Sequence, residues 1–265
     1  MVVKQIRGGH SAFSYQGENH SCDANGCYRI ILLRSLGLRT KTDDPQRQTM
    51  TFGLGHANEE VITTLLTKAG IIVEREREIR RNISPEVDFT GHIDITANGN
   101  TLYELKSVSS IRSYINYIVK GKYKLNNLAQ LVAYMITDEK KQGYLVYASY
   151  IYAPAGKEVN EKKKSGHLTW DRIEPCIRKY KVEIEGKAIM VDGEAHPKYT
   201  IDNVIEHMLR SAQVVVDEEV SRIVPGYAGC LFCELAQTCT RFNSGEIDAD
   251  KWKQLVMLDC EKDTK

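Results

Sequence analysis

The sequence has no excess of either charge: 36 Lys+Arg stand against 35 Asp+Glu. Any affinity for a polyanion must therefore come from local basic surface rather than from the chain as a whole. It also has no long apolar run. No window approaches the roughly 18–20 apolar residues needed to cross a bilayer, and no apolar stretch follows Met1–Gly9 that would make a secretion signal. These absences predict a cytoplasmic protein with no membrane partner. There is no internal repeat, no low-complexity linker and no even set of cysteines. Seven cysteines, five of them in two close-spaced groups, point in a reducing compartment to metal or cluster ligation rather than to a disulfide framework. What is present is 42% hydrophobic and 27% charged residues over 265 positions, enough to bury a core in one large domain or two small ones.

Hydrophobic spacing predicts a short helix over Cys27–Leu36, a polar loop TKTDDPQRQ, and a long helix over Gly53–Ala69 closed by Gly70. Alternating β-branched and aromatic residues predict strands over Ile71–Glu78, Phe89–Thr96 and Thr101–Val108, the last two joined by the turn formers Ala97-Asn98-Gly99-Asn100. A helix over Lys124–Thr137, a strand over Gln142–Ala153, a Lys-rich surface loop over Gly156–His167, a strand-like stretch over Lys181–Val191 and a helix over Ile201–Ile223 follow.

Glu104 and Lys106 sit at i and i+2 of a strand and so share a face. Asp94 precedes the turn. A two-residue Asn98-Gly99 loop would pair Asp94 with Tyr103, whereas a three-residue loop, Asn98 to Asn100, or a bulge sets Asp94 opposite Glu104 on the same face. Two adjacent carboxylates repel unless a divalent cation lies between them, and oxygen ligands suit Mg²⁺ or Mn²⁺. A lysine on that face can orient or deprotonate a water and offset charge on a phosphate under attack. His56, with Glu60 one helical turn later, can complete such a metal shell, and Gln130 and Tyr134, at i and i+4, can reach a bound phosphate or base. Asp88 lies ahead of the predicted strand and ranks below Asp94. The basic stretches Arg75–Arg81, Lys120–Lys124 and Lys162–Lys164, near Tyr114, Tyr117 and Tyr123, can guide a nucleic-acid strand. Cys230, Cys233 and Cys239 place three thiols within ten residues, and a fourth ligand must come from elsewhere, with Cys27 ahead of Cys22 and both ahead of Cys176 and Cys260. The same ligands would satisfy a Cys₄ zinc site, and reduced buried cysteines are a third reading.

In this order His56, GHID with Asp94, ELK with Glu104 and Lys106, and QLVAY with Gln130 and Tyr134 resemble the RecB-like branch of the PD-(D/E)XK nucleases, over roughly His56–Tyr152. Ile93 stands where many of that superfamily have proline. The cysteine layout is similar to the cluster-bearing members of the branch, the CRISPR-associated protein four family and AddB-type domains. The resemblance implies an α/β restriction-endonuclease-like fold, with a mixed central sheet flanked by helices (residues 40–200). It also implies a small iron–sulfur subdomain built from both termini (1–39 and 201–265). It assigns His56, Asp94 and Glu104 to the catalytic Mg²⁺ or Mn²⁺, makes Lys106 catalytic, sets Gln130 and Tyr134 beside the site, and gives Cys27, Cys230, Cys233 and Cys239 to a [4Fe-4S] cluster. The implied activity is hydrolysis of single-stranded DNA, mainly exonucleolytic from the 5′ end, with a homo-oligomer or DNA-processing partners. The alternatives are a non-catalytic DNA-binding or assembly subunit, or an endonuclease within a larger complex.

Overall fold

The computed structural model describes residues 4–7, 32, 38–40, 45–108, 110–149, 176–217 and 236–262. Among them no helix is long and apolar enough to cross a membrane. The first strands are β1 (Lys4–Arg7) and β2 (Leu38–Thr40), followed by helix α1 (Pro45–Lys68). Then come β3 (Val73–Ser84), β4 (Val87–Ala97) and β5 (Thr101–Val108). A connection containing α2 (Ile111–Tyr114), a π-helix (Ile115–Val119) and α3 (Leu125–Thr137) leads to β6 (Gln142–Ser149). The chain continues through β7 (Cys176–Glu185), β8 (Ala188–Val191), β9 (Glu194–Thr200) and α4 (Ile201–Asp217). It ends in α5 (Ala236–Asn243), α6 (Ala249–Asp259) and β10 (Cys260–Lys262).

Several elements extend beyond their sequence expectations for identifiable reasons. Helix α1 begins at Pro45 and takes in half of the expected polar loop, because proline has no N–H to lose in a first helical turn. Strand β3 runs six residues past Glu78. Among the described residues it has only β4 as a neighbour, and an edge strand can carry charge on nearly every side chain. The single strand expected over Lys181–Val191 is two, turning at Gly186 (φ +59°), and β9 follows a turn with positive φ at both Asp192 (51°) and Gly193 (85°). That Asp-Gly pair is a hairpin signal.

Among the described residues eight strands form one sheet, in the order β1-β4-β5-β6-β7-β8-β9 with β3 on the other edge of β4. Among the described strands only β1–β4 and β5–β6 pair in parallel, so the sheet is mixed and mostly antiparallel. A parallel neighbour requires a crossover, which is why α3 lies between β5 and β6. One sheet face packs Leu102, Leu145, Tyr147, Tyr180 and Val182 against Leu128, Leu131, Val132 and Tyr134 of α3 and Val204, Met208 and Ala212 of α4. The other face packs Ile95, Leu105 and Val146 against Ile62 of α1. The result is a helix–sheet–helix sandwich. A further cluster joins Leu32 to Val214, Phe242, Ile247, Trp252 and Val256, with Cys239 packed against it, and β2 pairs with β10 antiparallel. Segments from both ends of the chain thus meet.

The position of β4 organises the site. One of its edges pairs with β3 from Val87 to Ala97, Asp94 excepted. The other is shared: β1 takes Val87–Thr90 and β5 takes Ile95–Ala97. Among the described residues, Gly91, His92, Ile93 and Asp94 have no ladder partner on that edge.

Candidate active site

The hairpin loop between β4 and β5 is Asn98–Asn100, because Ala97 pairs with Thr101. It is the three-residue form that the chemistry required. Asn98 (φ 49°) and Gly99 (φ 67°) supply the left-handed turn. The Asn98 side chain accepts the Ile72 N–H at 3.0 Å, and its own N–H donates to the Ile72 carbonyl at 2.8 Å. One register step beyond Ile95–Tyr103 sets Asp94 opposite Glu104. There the ladder stops and the Asp94 Oδ2 accepts the Leu105 N–H at 2.6 Å. The carboxylate is inserted where the two strands part.

Glu104 is 1% exposed. Lys106 Nζ donates to its Oε1, and its Oε2, also buried, has no hydrogen-bond partner. Burial pushes the Asp94 carboxyl well above the usual carboxylate range and Glu104 adds to the rise, against the pull of Lys106 and the Leu105 N–H. Burial also raises Glu104, again against Lys106. For the Lys106 ammonium burial works the other way, but the fields of Glu104 and Asp94 outweigh it and hold the proton more tightly. The set is two like charges and one cation, short of one positive charge.

Sequence reasoning placed His56 at the head of a helix with Glu60. In the structure His56 lies well inside α1, is 65% exposed, and has Glu59 Oε2 at 3.5 Å and Glu76 Oε1 at 3.7 Å from its Nδ1. Glu60 turns instead to Arg75, at 2.5 Å. One ligand atom from each of His56, Glu59 and Glu76 lies within 4.8 Å of the others. Asp94 and Glu104 are not members of that trio. Glu76 occupies the β3 position that the register skips, between Arg75–Ile95 and Arg77–Ile93, with φ at 46°. A non-glycine residue in that region costs of order 1–3 kcal/mol and such outliers concentrate at functional sites. Glu59 links the two groups. Its Oε2 is buried without a hydrogen-bond partner, and its charge raises Asp94, Glu104 and Lys106 alike. Sequence reasoning missed Glu59, although its i+3 spacing from His56 was a signal.

Gln130 and Tyr134 face inward rather than toward an open groove. The Gln130 Nε2 donates to the Tyr134 Oη at 3.0 Å, and both side chains are buried. Burial first, then the fields of Glu104 and Asp94, pushes the Tyr134 phenol well above its usual range, so the ring is a wall of the carboxylate site. Gly91 explains how the ring fits: a Cβ there would lie 2.5 Å from Tyr134 Cε1 and 3.1 Å from Cζ.

Asp88 lies within β4, not ahead of it, and is occupied by Arg80 at 3.3 Å and the Asn82 amide at 3.1 Å. The Arg75–Arg81 stretch is largely spoken for by pairing: Arg75 with Glu59 and Glu60, Arg77 with Asp138 and Glu74, and Arg81 with the Ile136 carbonyl. Tyr114 is buried. Cys239 is a free, partly buried thiol. Cys22, Cys27, Cys230, Cys233, the helix expected over Cys27–Leu36 apart from Leu32, and the Lys-rich loop lie outside the described residues.

No family model and no curated protein matches the chain. Among solved structures, it overlaps a phage-related exonuclease from Haemophilus somnus 129PT with a TM-score of 0.45 and 16% identity, covering 72% of this chain and 79% of that one. It overlaps an alkaline exonuclease from Laribacter hongkongensis with a TM-score of 0.46 and 12% identity, covering 81% of this chain and 87% of that one.

Proposed function

We propose that this chain is a divalent-metal-dependent deoxyribonuclease of the PD-(D/E)XK type. The observation that carries the reading is the buried set at the parting of β4 and β5: Asp94 inserted at the Leu105 N–H, and Glu104 with one oxygen on Lys106 and the other without a partner. Buried polar atoms without partners are uncommon, and two adjacent buried carboxylates are a donor set that suits a divalent cation. Mg²⁺ or Mn²⁺ would be held by Asp94 and Glu104, with Glu59 and His56 supplying further ligands from α1. When bound it would polarise a phosphoryl oxygen and offset its charge. Lys106, held as the ammonium by Glu104 and Asp94, orients the attacking water and offsets charge on the phosphate. Tyr134 and Gln130 close the α3 side and exclude solvent.

The finer reading is cleavage of single-stranded DNA from an end, 5′ to 3′. It is tested with linear strands labelled at either terminus beside a closed single-stranded circle, in Mg²⁺ or Mn²⁺. Release of 5′ label with the circle intact is the expected result. Cutting of the circle would make the enzyme an endonuclease, and binding without cutting would favour a non-catalytic subunit.

Metal binding should strengthen with pH. A carboxyl whose folded pKa is raised gives the metal-free fold stability that is complete below its unfolded pKa and lost as pH rises through the folded one. Since ligands must be deprotonated, Mg²⁺ or Mn²⁺ is expected to bind more tightly across that same range, from the ordinary carboxylate range upward. Calorimetric titration at several pH values checks this, and a pH-independent affinity would remove Asp94 and Glu104 as ligands.

The [4Fe-4S] cluster on Cys27, Cys230, Cys233 and Cys239 is part of the same reading. It is supported by the meeting of the two chain ends, with Leu32 buried in the cluster that Cys239 packs against. Anaerobically purified protein is expected to be brown, with iron that falls away in Cys239→Ser. Stoichiometric zinc without iron would replace the cluster with a zinc site.

A further inference from the structure

The stretch from Leu105 to Thr137 contains no Asp or Glu, and five basic residues: Lys106, Arg112, Lys120, Lys122 and Lys124. In the structure this charge asymmetry has a direction. Lys106 is the register partner of Tyr147 on β6, and Tyr147 is the partner of Arg178 on β7. Register partners share a face, so Lys106, Tyr147 and Arg178 form a row across three strands, spanning about 10 Å at the usual strand spacing.

Above that row lies the arm formed by the π-helix and the extended segment that leads to α3. π-helices are rare and frequent at functional sites. The arm is fastened from beneath by two phenols. The Tyr147 hydroxyl accepts the Lys124 N–H at 3.0 Å and the Asn127 Nδ2 at 2.8 Å. The Tyr180 hydroxyl lies 3.1 and 3.2 Å from the carbonyls of Tyr117 and Lys122, and donates toward them. Gly121, at φ +62°, turns the arm so that Arg178 lies against it; a Cβ there would be 3.0 Å from the guanidinium. The backbone and the rings are thus committed inward, while Lys120, Lys122, Lys124 and Arg178 are exposed.

Among the described residues none of these four cations has a carboxylate within ion-pairing distance. Asp192, whose charge is felt at Tyr123 and Tyr180, accepts the Lys181 N–H at 2.8 Å. The contrast with the paired arginines of β3 is direct. Nor are the tyrosines a free stacking platform. Tyr117 is stacked on Tyr147, with ring centroids 5.0 Å apart, and has Lys124 over its ring. Tyr123 meets Tyr180 and His196.

We propose that Lys120, Lys122, Lys124 and Arg178 form a rigid docking ridge for the phosphodiester backbone of a polynucleotide, leading the strand over the arm, across β7 and β6, toward Lys106. The contact is to phosphate and is independent of base sequence. It rests on the nuclease reading for the strand's destination, but not for its binding.

The test is fluorescence anisotropy of labelled single-stranded and duplex DNA in EDTA, at a series of salt concentrations. Wild type, Lys122→Glu, Arg178→Glu and Lys181→Glu are compared, the last carrying its lysine on the opposite sheet face. The first two are expected to lose affinity by roughly tenfold or more, and the salt slope to fall by about one per cation removed. Lys122→Arg and Arg178→Lys should restore both. The relative loss on single strand and duplex tells which form the ridge prefers. Affinity unchanged in Lys122→Glu and Arg178→Glu, equal loss in Lys181→Glu, or no DNA binding by wild type would overturn the ridge. DNA bound by the ridge but not cut by wild type in Mn²⁺ would instead overturn the nuclease reading and leave the ridge standing.

Discussion

Glu104→Gln is expected to lower the cleavage rate by on the order of 10³-fold with little change in fold, and Lys106→Ala by a similar factor. Glutamine keeps an oxygen for the Lys106 ammonium but removes the charge that a divalent cation needs. Because the side chain is 1% exposed and one of its oxygens is already without a partner, the neutral isostere fits the same space. Asp94→Asn should show the other side of this arrangement. Its amide oxygen still accepts the Leu105 N–H, and the repulsion from Glu104 is gone. The metal-free protein should therefore gain roughly 1 kcal/mol while activity is lost, the trade expected where a site holds unfavourable charge. Single-turnover cleavage and thermal unfolding, each with and without Mn²⁺, check both halves. Glu104→Gln within tenfold of wild type would remove this residue from the chemistry.

Gly91→Ala should be the most damaging single methyl group in the described core. The added Cβ would stand 2.5 Å from a Tyr134 ring that is itself 2% exposed. Overpacking of this kind costs about 1–3 kcal/mol. The ring cannot swing away without breaking its bond to Gln130 and uncovering the carboxylates, so activity should fall with stability. In a Tyr134→Leu background the same substitution should cost less, and urea unfolding of the four proteins measures that coupling. An additive result would mean that β4 moves rather than the ring yielding.

The hairpin was legible because its chemistry is local: Asn98-Gly99-Asn100 names its own turn, and the parity of the loop decides whether Asp94 meets Glu104. The crossover helix was legible from its apolar period and β6 from its run of aromatics. Three things were not. The β3 extension carries charge on both faces, since an edge strand beside β4 needs no apolar side. The pairing of His56 with Glu59 and Glu76 depends on a left-handed residue in the middle of a strand, which no period reveals. The inward commitment of Gln130, Tyr134 and Tyr117 depends on what lies across the sheet. An i, i+4 polar pair reads the same whether it faces a groove or a glycine.

The two parts of the carboxylate site differ greatly in how far apart they are along the chain. Asp94 and Glu104 are brought together by three loop residues, whereas Tyr134 reaches them from within the crossover that makes β5 and β6 parallel. Local hairpins close early and parallel pairings late. The hairpin can therefore hold its two carboxylates hydrated for most of the folding reaction, and their burial belongs to its last step, when α3 docks. A divalent ion bound between them would then act after the main barrier. It should slow unfolding while leaving the refolding rate nearly unchanged, a division that stopped-flow folding in Mg²⁺ and in EDTA would reveal. Faster refolding with the ion would mean instead that the carboxylates are already enclosed at the barrier.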